Sequence, residues 1–424
     1  MKKRWISLTA LLLIIVMILS ACGSSKSNTG SSASAKGKLE IFSWWTAGGE
    51  ADGLKGIIDA FHKKYPNIKV ENEAVAGGAG SNAKAVLATR MQGGDPPSTF
   101  QVHGGAELMT WVDAGKMQPI DDLYKKNSWD GKFPKDLMDM VSKDGKIYGV
   151  PADIHRGNVL WYNKKIFKDN GLEPPKTFDD FFKVADKLKA KGITPLAIGD
   201  KDVWGSTMVL ENILLAKLGP DKYKQLWTGG VPFDDPKVKE SVEIFKKMLG
   251  YINNDHSSLA WQDASQLVAD GKAAMNIMGD WAKGYYTSKN LKPDEDFGWA
   301  VTPETDGMFM VIVDAFGLPK GVKKPDQVKK FLTELGSVEG QDAFNPKKGS
   351  IPARTDTDKS IYDVYSKQAM EDFQKDSLTP SLAHGSAAPE GFVTKVNDAV
   401  NIFVTQKNVD NFIQALKQAS SELK

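Results

Sequence analysis

Cysteine is almost absent from this chain of 424 residues, where Cys22 is the only one. A disulfide framework, a cysteine-ligated metal and a buried thiol nucleophile are therefore excluded. Histidine is scarce as well: the five residues (His62, His103, His155, His256, His384) form no H-E-x-x-H or similar cluster, so no zinc site is expected. No G-x-S-x-G elbow and no Walker A loop occurs. Neither sign of charge dominates. The formal net charge is +2, and without Lys2, Lys3 and Arg4 the remainder is +2 − 3 = −1. Such a balance leaves no electrostatic footprint for nucleic acid and no polybasic membrane patch. Beyond the N-terminal region no second long apolar run appears.

That N-terminal region reads as an export signal. "MKKR" is a positive n-region, "WISLTALLLIIVMILSA" an apolar h-region, and a small residue precedes Cys22. The stretch "LSAC", Leu19 to Cys22, resembles a bacterial lipobox. It implies cleavage before Cys22 and a diacylglycerol on its sulfur, and two acyl chains anchor a protein stably where one is marginal. Residues 1–21 are thus expected to be a lipoprotein signal peptide. Residues 22–37, Gly- and Ser-rich, are expected to be a flexible tether. The expected location is the outer face of the cell membrane, on a Gram-positive surface or in a periplasm.

The body is too long for one average core, so two lobes are expected. It opens with alternating elements: "LEIFSW" as a strand, "LKGIIDAFHKKYP" with helical spacing, "IKVENEAV" as a strand, "SNAKAVLATRMQGG" as a helix and "STFQVH" as a strand. This βαβαβ order predicts an α/β fold with a parallel sheet, whose ligands bind beyond the carboxyl ends of the strands. Trp44 and Trp45 end the first strand and Gln101 and His103 the third. "KIYGVPADIHRGNVLWYNKKIF" is long enough to cross into a second αβ lobe, and "MFMVIVDAFGLPKG" reads as a strand returning to the first. The expected division is lobe 1 over 38–150, lobe 2 over 151–310, a return to lobe 1 over 311–355, and a C-terminal helical region, 356–424, shared between lobes.

Two clusters carry a chemical signal. A hexose presents small apolar C–H faces and a rim of hydroxyls, which flat aromatic rings and Asp, Glu, Gln, His and Lys respectively can meet. "SWWTAGGE" supplies Trp44, Trp45 and a Glu50 placed in a glycine-rich turn, with Gln101 and His103 nearby. Side chains alternate along a strand, so at most one of the two tryptophans belongs to the core face. The alternative is that both are core and Glu50 is a solvated turn residue. "MNIMGDWAKGYY" repeats the pattern, with Asp280 as a cap and Trp281 in a first helical turn. "GGAGSNA", Gly77 to Ala83, mimics a dinucleotide fingerprint, but the strand that follows lacks the ribose-binding acid. A turn beside the cleft is the better reading. Glu50, Asp153, Asp280 and Asp314 could converge as a glycosidase pair, although sugar binders use the same residue types for hydrogen bonding alone.

Lipobox, tether, "IFSWW", "GGDPPSTFQVH", "VLWYNKKIF", "GKAAMNIMGDWA", "DAFGLPKG" and "EGQDAFNPKKGSIPAR" together resemble the bacterial extracellular solute-binding proteins of carbohydrate ABC transporters, closest to their glucose/galactose-binding subgroup. The resemblance implies a two-lobed, periplasmic-binding-protein-like (type II) fold with sugar in the cleft. It implies ligand contacts from Trp44, Trp45, Glu50, Gln101, His103, Trp281, Asp314, Lys348 and His384, with Lys347 adjacent to Lys348 as a one-residue ambiguity. His155 and Arg156 are cleft-edge candidates, with a hinge role as the alternative. The expected protein is a monomeric, lipid-anchored capture subunit, not an enzyme, with no cofactor and no metal. It would take a monosaccharide of the glucose, galactose or mannose type and hand it to a permease served by a separate ATPase. A di- or oligosaccharide ligand, or a surface glycoside hydrolase, is the alternative.

Overall fold

The computed structural model describes residues 38–423. The expected signal peptide, Cys22 and tether lie outside the described residues. Among the described residues no helix is long and apolar enough to cross a membrane.

The opening strands Leu39–Ser43, Val70–Ala74 and Thr99–His103 pair in parallel, with Leu39–Ser43 in the middle. Thr99–His103 is buried at every position, which is why it carries no polar/apolar alternation despite Gln101 and His103. The returning strand Asp314–Pro319 adds antiparallel to it, with Asp314 opposite His103 and Phe316 opposite Gln101. This register brings residues more than two hundred positions apart in sequence to one strand end.

The second lobe is built on a sheet in the order Thr194–Ala197, Ala273–Ile277, Val159–Asn163, Phe297–Val301. Its covering helices show the amphipathic pattern clearly. In Phe178–Ala190, residues Phe178, Phe181, Phe182, Ala185 and Leu188 are buried at i, i+3, i+4 spacing, each contributing about 1.5–3 kcal/mol if large and fully buried. The helix starts where Thr177 Oγ1 accepts the Asp180 N–H at 3.1 Å. The C-terminal helices Glu390–Gln406 and Val409–Ala419 bury their apolar faces in this second-lobe core.

A small third sheet joins the two, with Met308–Ile312 between Ser377–Pro380 and His155–Arg156. Three chain segments run through it from one lobe to the other. Arg156 ties them together, pairing with Asp372 at 2.6 Å and Asp376 at 3.1 Å and donating to the Met308 carbonyl at 3.0 Å.

One local expectation is corrected. The glycines after Trp45 do not form a turn; they begin the helix Gly48–Lys64, and Glu50 sits in its first turn. Gly49 is required by packing, because a Cβ there would lie 2.4 Å from the Lys347 carbonyl oxygen and 2.9 Å from Gly284.

Candidate functional site

Trp44 and Trp45 leave the first strand in opposite directions. Trp45 is 1% exposed and packs in the first-lobe core, its ring 5.6 Å from Phe316 and 4.9 Å from Phe344. Trp44 turns into the cleft, where its ring lies 5.1 Å from His103. Its backbone N–H is held by Gln101 Oε1 at 3.1 Å, and Gln101 Nε2 donates to Asp314 Oδ1 at 2.7 Å. Gln101 therefore positions two wall residues and, like Trp45, does not line the cavity itself.

Lys348 ends the helix Val338–Lys348 and lines the cleft, whereas Lys347 does not. Its Nζ lies 3.3 Å from Glu50 Oε1, 3.0 Å from His155 Nε2 and 4.0 Å from Asp314 Oδ2. It is also 5.3 Å from the centre of the Trp45 ring. Burial works against this ammonium, but Glu50, Asp314 and Asp153 outweigh it and raise the pKa. Burial raises Glu50 as well, with Lys348 opposing. Burial, reinforced by the nearby Asp153 charge, pushes Asp314 up to about 6.

His155 donates from Nδ1 to Asp280, so Asp280 does not cap the helix behind it. Burial and Lys348 both disfavour the imidazolium, yet Asp153 and Asp280 prevail and push its pKa up to about 9. Its Nε2 lies 3.4 Å from Asp153 Oδ2 and 3.0 Å from Lys348 Nζ, and the same ammonium lies 3.3 Å from Glu50. Asp153, His155 and Asp314 offer oxygen and nitrogen atoms within 4.8 Å of one another. Lys348 already supplies the positive charge that this group calls for.

The opposite wall is aromatic. Trp281 opens the helix Trp281–Ser288, Trp261 opens Trp261–Ala269, and Trp204 precedes Gly205–Leu226, a helix interrupted at Gly219. The rings of Trp204 and Trp261 lie 6.2 and 6.5 Å from that of Trp281. His384, from the third crossover, packs 4.9 Å from Trp281, 5.3 Å from Trp204 and 5.4 Å from His103. Burial keeps its pKa well below the ordinary value, so this ring is neutral.

Together these groups line a narrow cleft whose empty space, its open mouth included, is about 310 Å³. Trp44, Glu50, His103, Asp314 and Lys348 face it from the first lobe, and Trp281 and His384 from across the cleft. Trp204, Trp261 and Ile312 also line it, and sequence reasoning had not singled them out. The signal that could have found the two tryptophans is their place at a helix start, shared with Trp281. The cleft shares Trp44, Glu50, Ala79 and Trp261 with a second, half-open pocket of about 630 Å³, its mouth included, also bordered by Asn82, Asp202 and Gln262. The glycine-rich turn stands at this border. A Cβ on Gly80 would lie 2.7 Å from the Trp44 ring and one on Gly78 2.5 Å from that of Trp204, and the Gly78 N–H donates to Asp202 Oδ2 at 3.1 Å. Its glycines let the backbone close over two tryptophans.

A cleft between two lobes, sealed by side chains from both, defines a receptor for a small polar solute. The sequence profile of the bacterial extracellular solute-binding proteins matches residues 47–342, and the chain belongs to that family. It is 42% identical over 421 residues, 96% of this chain and 94% of the relative, to an uncharacterized ABC transporter extracellular-binding protein of Pyrococcus horikoshii. It is 32% identical over 377 residues, 87% of this chain and 88% of the relative, to a probable sugar-binding periplasmic protein of Brucella melitensis. Among solved structures, the bacterial solute receptor AcbH, described as exclusive for β-D-galactopyranose, superposes with a TM-score of 0.82. That likeness covers 91% of this chain and 97% of the other at 22% identity, and it concerns the fold.

Proposed function

We propose that this chain is the extracellular sugar-capture subunit of an ABC importer, and that its inner cavity takes one hexopyranose of the glucose, galactose or mannose type. The observation that carries this reading is the pairing of walls: tryptophan rings on one side, and a charge-compensated set of acceptors and donors on the other. Aromatic faces meet the C–H faces of a pyranose, while Glu50, Asp314, Lys348 and His103 meet its hydroxyls. A misplaced hydroxyl would leave one of these buried groups unpaired, at about 1–3 kcal/mol. Glu50 and Asp314 share one ammonium, an arrangement suited to accepting hydrogen bonds; no catalytic step, cofactor or metal is invoked.

Capture works by hinge closure through the three crossover segments, with ligand stabilising the closed form by its differential affinity. The closed protein, a monomer tethered through lipid on Cys22, would present the sugar to a permease served by a separate ATPase. The outer cavity favours a second reading, a di- or oligosaccharide whose further ring lies against Trp261, Asn82 and Gln262. Tryptophan fluorescence titrations with glucose, galactose, mannose and maltose separate the two. A saturable change with a monosaccharide is expected; a change with maltose alone selects the second reading, and a flat response to all four removes both.

A further inference from the structure

Three histidines line the cavity, and each has its Nδ1 committed to an acidic group. His103 reaches Glu107 directly at 2.7 Å, and His155 reaches Asp280 directly. His384 reaches one through a hydroxyl. Its Nδ1 lies 3.0 Å from Ser381 Oγ, and that hydroxyl donates to Glu211 Oε1 at 2.8 Å. Glu211 is 1% exposed, outside the cavity lining, on the same helix that Trp204 precedes.

The hydrogen bonds of Glu211 run in one direction. Its Oε2 accepts from the N–H groups of Leu382 at 2.6 Å and Ala383 at 3.2 Å, and from the Tyr223 hydroxyl at 3.1 Å. These donors occupy Oε2; above about pH 7, the value to which burial pushes Glu211, the carboxylate is ionised and its Oε1 takes the one proton of Ser381 Oγ. That oxygen is then left to accept from His384. The Nδ1 atom must carry the hydrogen, and in a neutral ring Nε2 keeps its lone pair. We infer that Glu211 is a positioning residue that acts through Ser381 to hold His384 in the Nδ1–H form, making its Nε2 an acceptor for a ligand hydroxyl. The cavity then sets this neutral acceptor on the crossover opposite the charged acceptors Glu50 and Asp314. The inference rests on the sugar-binding reading only for the identity of that hydroxyl.

The test is the ¹⁵N spectrum of histidine-labelled full chain without sugar, at about pH 8.5, above the value of about 7 to which burial pushes Glu211. The His384 signals are assigned by their loss in His384→Gln. A protonated Nδ1 and a bare Nε2 are expected. In Glu211→Gln the amide oxygen keeps the backbone donors and the NH₂ group faces Ser381, turning the hydroxyl proton to His384. Its hydrogen then moves to Nε2, and galactose or glucose affinity drops roughly tenfold or more. Ser381→Ala, which leaves the backbone bonds to Glu211 in place, is expected to shift the ring toward the Nε2–H form and decides the question if the first variant does not fold. A protonated Nε2 in the unmodified protein, or an Nδ1–H form that survives both substitutions, overturns the inference. Because the tautomer is read without ligand, absence of sugar binding would sink the functional reading and leave this one standing.

Discussion

The two walls of the cavity are made in different ways. The first-lobe wall gathers Glu50, Asp314 and Lys348 from three distant stretches and wires them through Gln101, Asp153 and His155 into one buried network, with His103 3.8 Å from Asp314. The second-lobe wall is three tryptophans, each at the start of a helix, in ring-to-ring contact. Polar recognition depends on angles and distances, so its groups must be held by partners that are themselves held. Apolar recognition depends on area and tolerates small shifts. On the proposed sugar-binding reading, selectivity among hydroxyl patterns belongs mainly to the first lobe and much of the affinity to the second.

The largest expected effect comes from breaking the polar wall at its centre. Lys348→Met leaves Glu50 and Asp314 buried without their cation, and a loss of about 3–5 kcal/mol in unfolding free energy is expected, with sugar binding abolished. Chemical denaturation and titration would show both; a stable, binding variant would mean the network is not what orders that wall. Truncating the other wall should act on affinity first. Trp281→Ala is expected to weaken hexose binding by about 2 kcal/mol or more while the ranking of sugars stays the same. A changed ranking would erase the division of labour between lobes.

The polar wall also predicts a pH dependence. His155 has its folded-state pKa raised from 6.5 to about 9 by Asp153 and Asp280, against burial and Lys348. Its contribution is fully present below pH 6.5 and is lost as pH rises through about 9, at most about 3 kcal/mol. Urea midpoints at the two pH values should differ in this sense in the wild-type chain and much less in His155→Gln. A flat profile would mean that the ring is neutral. The smallest effect belongs to neither wall: Thr177→Ala removes a helix cap in the second lobe and should cost about 1 kcal/mol with binding unchanged.

Legibility in the sequence divides along similar lines. The βαβαβ opening was readable, because periodicity is local. Trp44 and Trp281 were readable as exceptions, large aromatics at strand and helix ends where a core residue is not needed. Strand alternation separated Trp44 from Trp45 but could not say which faced the cleft; that depends on Phe316 and Phe344, far along the chain. The convergence of Asp314, Lys348 and His384 was available only through family resemblance, since a strand register and two crossovers bring them together. Trp204 and Trp261 have polar neighbours in sequence, Asp202 and Gln262, but no strand-like run leads directly into either to mark them as Trp44 is marked. The helical start at Gly48 was hidden because glycine lowers helix propensity, and only the close approach of Lys347 and Gly284 explains its presence.

The most direct measurement is a calorimetric titration of the protein with galactose and glucose, repeated with Trp281→Ala and Lys348→Met. The account predicts one-to-one binding of a monosaccharide, weakened in the first variant with its preference intact and lost in the second. Binding that required a longer sugar, or survived Lys348→Met with the same preference, would contradict it.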